Sequence, residues 1–189
     1  MVTAYLVLLT VLAGERLVEL VLSRRHAAWA KARGGIEVGR GHFRFMALLH
    51  TGLLVGCAAE VLLLGRPFYL FLAAPLLVLG LLAQGLRYWA VATLGPLWNV
   101  RVIVVPGTVA VERGPYRWVR HPNYVAVVVE GIAVPLLHTA WITALAFTVL
   151  NAALLVVRIR CEERALATHM GYAERFGERP RFLPRLLGG

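Results

Sequence analysis

The chain has 189 residues and a formal net charge of +10, with 59% hydrophobic and 16% charged residues, and its mean hydropathy is +0.71. A soluble domain is about half apolar and about one-quarter charged, so this balance excludes an ordinary soluble domain, and the hydrophobicity excludes a disordered chain. Cys57 and Cys161 stand far apart and do not make a disulfide scaffold.

In chain order, the apolar runs predict five membrane-crossing helices, over 2–22, 45–64, 68–94, 122–137 and 141–169. The first run has no basic residue ahead of it and no small-residue cleavage pattern, so it does not read as a signal peptide. The fourth is short, about 24 Å at 1.5 Å per residue, and needs a thinned bilayer or longer neighbours. The expected fold is therefore an all-α integral membrane protein, a single polytopic domain over 1–189.

The basic residues orient it. Arg24, Arg25, Lys31, Arg33, Arg40 and Arg44 lie between runs one and two. Arg101, Arg113, Arg117 and Arg120 lie between runs three and four, and Arg158 and six further arginines stand at or beyond the end of run five. Five spans put all of these on one side, which predicts an external N-terminus and a cytoplasmic C-terminus. Topology thus accounts for the net charge, and no separate basic domain points to nucleic acid. The histidines and cysteines show no HxxxH or CxxC spacing, so no metal site is expected. A soluble dinucleotide domain is excluded by the lack of a Gly-rich fingerprint.

Two polar segments, 23–42 and 95–121, face the cytoplasm in this topology. In the second, 102–105 and 108–111 flank Pro106-Gly107 and read as a short extended loop. It leads into Gly114-Pro115-Tyr116-Arg117-Trp118-Val119-Arg120-His121-Pro122-Asn123-Tyr124. Pro122 suits the first turn of a helix, whose free N–H groups, with Arg117, Arg120 and His121 beside them, form an anion site. The same residues also suit a plain interfacial anchor. Run five ends in Arg158-Ile159-Arg160-Cys161-Glu162-Glu163-Arg164. Counting along the hairpin of runs four and five sets Arg158 near the start of run four and Glu162 and Glu163 level with the 114–121 loop. The alternative there is a solvated helix held by Arg158–Glu162 and Arg160–Glu163 pairs. Inside the spans, Glu15, Arg16 and Glu19 share one helix, Glu60 and Glu130 are lone acids, and Arg87 lies near the end of run three. Intramembrane charges are functional candidates that need partners, and Glu130 is deep enough to line a pocket. His50 reads as a packed histidine.

The 114–124 stretch, a helical hairpin, and then Arg160-Cys161-Glu162-Glu163 resemble the isoprenylcysteine carboxyl methyltransferase family, and the first half is most similar to its bacterial branch. The resemblance implies an S-adenosylmethionine cofactor in a cytoplasmic pocket formed by the last two spans and the tail. It also implies a lipophilic acceptor, prenylcysteine or a long-chain alkylpyrone or alkylresorcinol, entering from the bilayer of a bacterial inner membrane. Arg120 and Glu163 are the catalytic candidates by resemblance. Tyr116, His121, Pro122, Tyr124, Arg158, Glu162 and Tyr172 are the cofactor-binding candidates, and Glu130 and Arg87 the substrate-binding ones. An NADPH-dependent reductase like the sterol reductases and a non-enzymatic lipid-binding protein are the other classes compatible with this architecture.

Overall fold

The structure, a computed structural model, describes residues 1–170 and 179–182. It contains five α-helices: α1 (Val2–Lys31), α2 (Arg40–Leu64), α3 (Leu70–Leu94), α4 (Pro122–Leu136) and α5 (Trp141–Met170). Three helical stretches, Arg40–Leu64, Leu70–Leu97 and Trp141–His169, are long and apolar enough to cross a membrane. Leu48, Leu63, Phe71, Leu82, Leu145 and Val149 are exposed on them, an outward apolar face of the kind lipid covers. The expectation of five spans is met in helix number but not in this stricter property. Helix α4 has only 15 residues, and α1 carries Glu15, Arg16 and Glu19 in its middle.

Helix α1 also continues past its expected end at Leu22, to Lys31. The residues that follow, Ser23-Arg24-Arg25-His26-Ala27-Ala28-Trp29-Ala30-Lys31, include neither Gly nor Pro, and several are good helix formers. Hydrophobicity falls there but helix propensity does not, and the turn waits for Gly34 and Gly35. Ser23 is buried and donates to Asn99 Oδ1 at 2.8 Å, while Asn99 Nδ2 returns a bond to the Ser23 carbonyl at 2.9 Å. The extension of α1 is thereby fastened to the loop after α3.

The all-helical expectation needs one correction. β1 (Ile36–Val38) pairs antiparallel with β2 (Val102–Val104), in the register Ile36↔Val104, Glu37↔Ile103, Val38↔Val102. Each strand has three residues, too few to show an alternating pattern. The 108–111 segment, also read as extended, forms no strand. The small sheet ties together the two polar segments over the same end of the bundle.

The core lies where α1, α2, α4 and α5 meet, around Leu9, Leu53, Cys57, Val61, Val127, Val134 and Phe147. Tyr5 donates to the Val134 carbonyl at 3.0 Å and pins α1 to α4. Helices α4 and α5 approach closely at Gly131, where an added Cβ would stand 2.2 Å from Phe147 Cε1. No larger residue fits that crossing. Their tight turn holds Thr139 at φ 53, and Thr139 Oγ1 donates to the Pro67 carbonyl at 2.6 Å. Glu60 is not a lone acid. It pairs with Arg66 at 2.8 Å and accepts from the Ile142 and Thr143 amides at 3.2 and 2.8 Å, satisfying free N–H groups at the start of α5.

Candidate functional site

The polar ends of α4 and α5 meet as helix counting requires. Pro122 opens α4 at its first position and is fully buried, with His121 as the preceding cap. Across from it, Glu163 of α5 pairs with Arg120 at 3.0 Å, His121 at 3.1 Å and Arg181 at 2.6 Å. Residues 179–182 close over this point. The Arg120 amide donates to the Pro180 carbonyl at 2.9 Å, and the His121 amide to the Arg181 carbonyl at 3.0 Å. Arg179 Nη1 donates to the Tyr116 carbonyl at 2.6 Å. Phe182 lies over His121 with ring centroids 6.5 Å apart.

Arg158 and Glu162 do not pair directly, as an isolated helix would allow. The Tyr124 hydroxyl stands between them, accepting from Arg158 Nε at 2.7 Å and donating to Glu162 Oε2 at 2.5 Å. Arg158 Nη2 also donates to the Val100 carbonyl at 2.6 Å. Buried Arg158 thus has three neighbours that compensate its desolvation. Arg160, which the solvated-helix alternative pairs with Glu163, is exposed.

These groups open on a cavity of about 490 Å³ whose wall includes Tyr116, Arg120, His121, Asn123, Tyr124, Arg158 and Glu162. Two buried polar atoms in this region, Arg120 Nε and Asn123 Oδ1, have no hydrogen-bond partner among the described residues. The cavity continues between α1, α2 and α5 past Met46, Ala47, Leu54, Val127, Leu154 and Leu155. It is therefore polar at the loop end and apolar along the stretch that follows. Tyr116, His121, Pro122, Tyr124, Arg158, Glu162, Arg120 and Glu163 are brought together here. Tyr172 lies outside the described residues.

Arg87 and Glu130 meet elsewhere, at the depth of the helices. Glu130 is bound by Arg87 through Nε at 3.1 Å and through a second, close contact of Nη2. Arg16 joins them, 3.4 Å from Glu130 and 2.7 Å from Glu19, and Arg87 Nη1 lies 3.5 Å from Glu19. The pairing of Arg16 within its own helix is present, but it is one part of a network across α1, α3 and α4. Glu130 does not reach the wall of the large cavity, whereas Arg16, Glu19 and Arg87 do. His50 is packed, with Nδ1 at 2.8 Å from the Met46 carbonyl and its ring edge-on to Phe147 at 5.4 Å, and it also lines the cavity.

Sequence reasoning missed Arg181, Asn123 and Asn151. Arg181 lies eighteen residues beyond its partner Glu163, out of reach of helix counting. Asn123 and Asn151 are uncharged and escaped a search aimed at ionisable residues.

Removing one member of a buried ion pair leaves a charge unpaired and costs about 3–5 kcal/mol. Arg87→Leu is expected to lower thermal stability in detergent by that order. Arg87→Leu/Glu130→Leu should recover much of the loss. A double variant no more stable than Arg87→Leu alone would show that the two side chains are not coupled.

Comparison with known proteins agrees with this arrangement. The family described as "Isoprenylcysteine carboxyl methyltransferase (ICMT) family" matches residues 76–168, which contain the 114–124 stretch, the α4–α5 hairpin and both Glu162 and Glu163. A Bacillus subtilis protein described as uncharacterized protein YpbQ is 38% identical over 162 residues, covering 84% of this chain and 94% of that protein. An uncharacterized Haemophilus influenzae protein is 26% identical over 153 residues, covering 80% of this chain and 88% of its own. By sequence, hairpin and the matched region, the chain belongs to the isoprenylcysteine carboxyl methyltransferase family.

Proposed function

We propose that this chain is an S-adenosylmethionine-dependent O-methyltransferase acting on a lipophilic acceptor that reaches the cavity from the bilayer. The observation that carries this is one cavity, polar at the junction of α4 and α5 and mostly apolar beyond it. Its volume of about 490 Å³ is that of a small-molecule site.

The residues present fit the cofactor. Asn123 Oδ1 is a buried polar atom without a hydrogen-bond partner among the described residues, suited to the ammonium of an amino acid. The start of α4 adds a partial positive charge for the carboxylate and the Asn123 amide, since Pro122 has no N–H and the Tyr124 and Val125 amides donate to the His121 carbonyl. Glu162 suits a ribose hydroxyl. Tyr116 and Tyr124 offer aromatic surface to an adenine or a sulfonium, with Arg158 fixing the Tyr124 hydroxyl and His121 stacked on its ring at 5.3 Å. Tyr172 shares the aromatic role by resemblance. When bound, S-adenosylmethionine supplies an electrophilic methyl group for in-line transfer to oxygen.

Arg120 orients the acceptor's anion, and Glu163 is a positioning residue. Three cationic or hydrogen-bonding side chains surround the Glu163 carboxylate, so it holds Arg120 and His121 in place and is poorly suited to take a proton. That favours an acceptor already ionised at neutral pH, which needs alignment and desolvation but no base. A prenylcysteine carboxylate or the acidic enol of an alkylpyrone meets this condition better than an alkylresorcinol hydroxyl. Arg87, on the cavity wall, belongs to the acceptor's end of the site, and Glu130 supports it from behind.

The Arg120 assignment turns on charge and shape. Lysine keeps the charge but not the forked donor. With labelled S-adenosylmethionine and a lipophilic carboxylate or alkylpyrone, Arg120→Lys should keep part of the methyl transfer and Arg120→Ala should lose nearly all of it. Cofactor affinity should move less than turnover in both. Near-normal transfer by Arg120→Ala would leave Arg120 as an interfacial anchor.

We also propose that the protein lies in the bacterial inner membrane with its N-terminus outside, its C-terminus inside and the site facing the cytoplasm, from the distribution of basic residues. A cysteine placed at Gly35, in the turn after α1, should react with impermeant maleimide only after right-side-out vesicles are opened. Labelling of intact vesicles would reverse the orientation.

A further inference from the structure

The large cavity is polar a second time, at the depth of the helices. Its wall there carries Arg16 and Glu19 from α1, His50 from α2, Arg87 from α3 and Asn151 from α5. Asn151 is only 3% exposed, it lines the cavity, and its carboxamide makes no hydrogen bond among the described residues. Glu19 Oε1 is buried without a hydrogen bond and is held by Arg87 Nη1 in an ion pair at 3.5 Å. Asn151 stands seven residues before Arg158 on α5, about 10 Å along the helix, with Leu154 and Leu155 on the wall between them.

An amide that faces a cavity with neither its donor nor its acceptor used offers both to whatever fills that space. A ligand ending here in plain hydrocarbon would leave both unsatisfied. A further anion is disfavoured, because Glu15, Glu19 and Glu130 already outnumber Arg16 and Arg87 in this network. A neutral hydroxyl both donates and accepts. It can give its proton to the Asn151 amide oxygen or accept from the Asn151 N–H without adding charge.

We infer that this level is a second subsite of the acceptor pocket, which binds a neutral hydroxyl carried on the acceptor's chain roughly 10 Å from the polar end of the cavity. The inference rests on reading this cavity as the acceptor site. It makes the acceptor polar at two separated places, and Asn151 the residue that selects the distal one.

The test uses two probes that differ by one group, octanoate and 8-hydroxyoctanoate, whose hydroxyl lies roughly 10 Å from the carboxylate, the spacing of the two levels. Each is titrated against the purified full chain in detergent, following tryptophan fluorescence, since Trp98 lines the cavity. The quantity read is the ratio of the two dissociation constants, compared between wild type and Asn151→Leu. This comparison cancels the difference in micelle partitioning. The subsite predicts that Asn151→Leu shifts the ratio against the hydroxylated probe by about tenfold, as loss of one buried hydrogen bond would, and that Asn151→Ala shifts it in the same direction. An unchanged ratio in both variants would mean that water alone occupies this level, and it would overturn the subsite. Failure of 8-hydroxyoctanoate to bind the wild type would overturn it as well. S-adenosylmethionine titration on the same samples separates the two readings. Loss of the hydroxyl preference with cofactor binding intact refutes only the subsite. An intact preference without cofactor binding refutes the methyltransferase reading and leaves the subsite standing.

Discussion

One carboxylate gathers three parts of the chain that are distant in sequence. Glu163, near the end of α5, is engaged by Arg120 and His121 before α4 and by Arg181 beyond the helix. Each of these groups would be poorly placed on its own at the edge of an apolar bundle. Around one anion they compensate each other's desolvation, and the backbone bonds from Arg120 and His121 to Pro180 and Arg181 fix the segment that covers them. The shape of the polar end of the cavity follows from this junction. A buried or half-buried charge is tolerated only with its partners in place, so the loop, the helix start and the residues 179–182 are held as a unit.

The same rule works again deeper in the helices. Arg16, Glu19, Arg87 and Glu130 come from α1, α3 and α4, none of which could carry its charge into an apolar layer alone. Their mutual pairing lets α1 keep three charges in its middle and still pack against α4 through Tyr5. Between the two charged levels the cavity wall is formed by branched and unbranched aliphatic side chains. A molecule that fits this space has a polar head, an apolar stretch and a place for a second polar group, which is the chemistry of a lipid rather than of a soluble metabolite.

Much of this was legible in the residues, for identifiable reasons. Helix positions followed from hydrophobic runs bounded by Gly and Pro, and the start of α4 followed from Pro122. The convergence of Glu163 with Arg120 and His121 needed only a short hairpin and a fixed rise per residue. Three things were not legible. The length of α1 was underestimated because span prediction reads hydrophobicity, while Arg24, Arg25 and Lys31 continue a helix readily. The pairing of 36–38 with 102–104 joins segments more than sixty residues apart, and nothing local specifies it. Glu60 and Glu130 looked like isolated acids because their partners, Arg66, Thr143, Arg87 and Arg16, come from turns and other helices. Intramembrane charges advertise the need for a partner but not its address.

Family membership favours a methyl donor over the nicotinamide cofactor that a reductase of similar architecture would use, and the cavity's polar end offers an amino-acid-like fit to the former. The central claim is that this end of the cavity binds S-adenosylmethionine. Isothermal titration of the purified full chain in detergent, with S-adenosylmethionine and with NADPH in parallel, tests it most directly. The account predicts saturable binding of S-adenosylmethionine at one site per chain and none of NADPH. Folded protein that binds NADPH, or that binds neither, would contradict it.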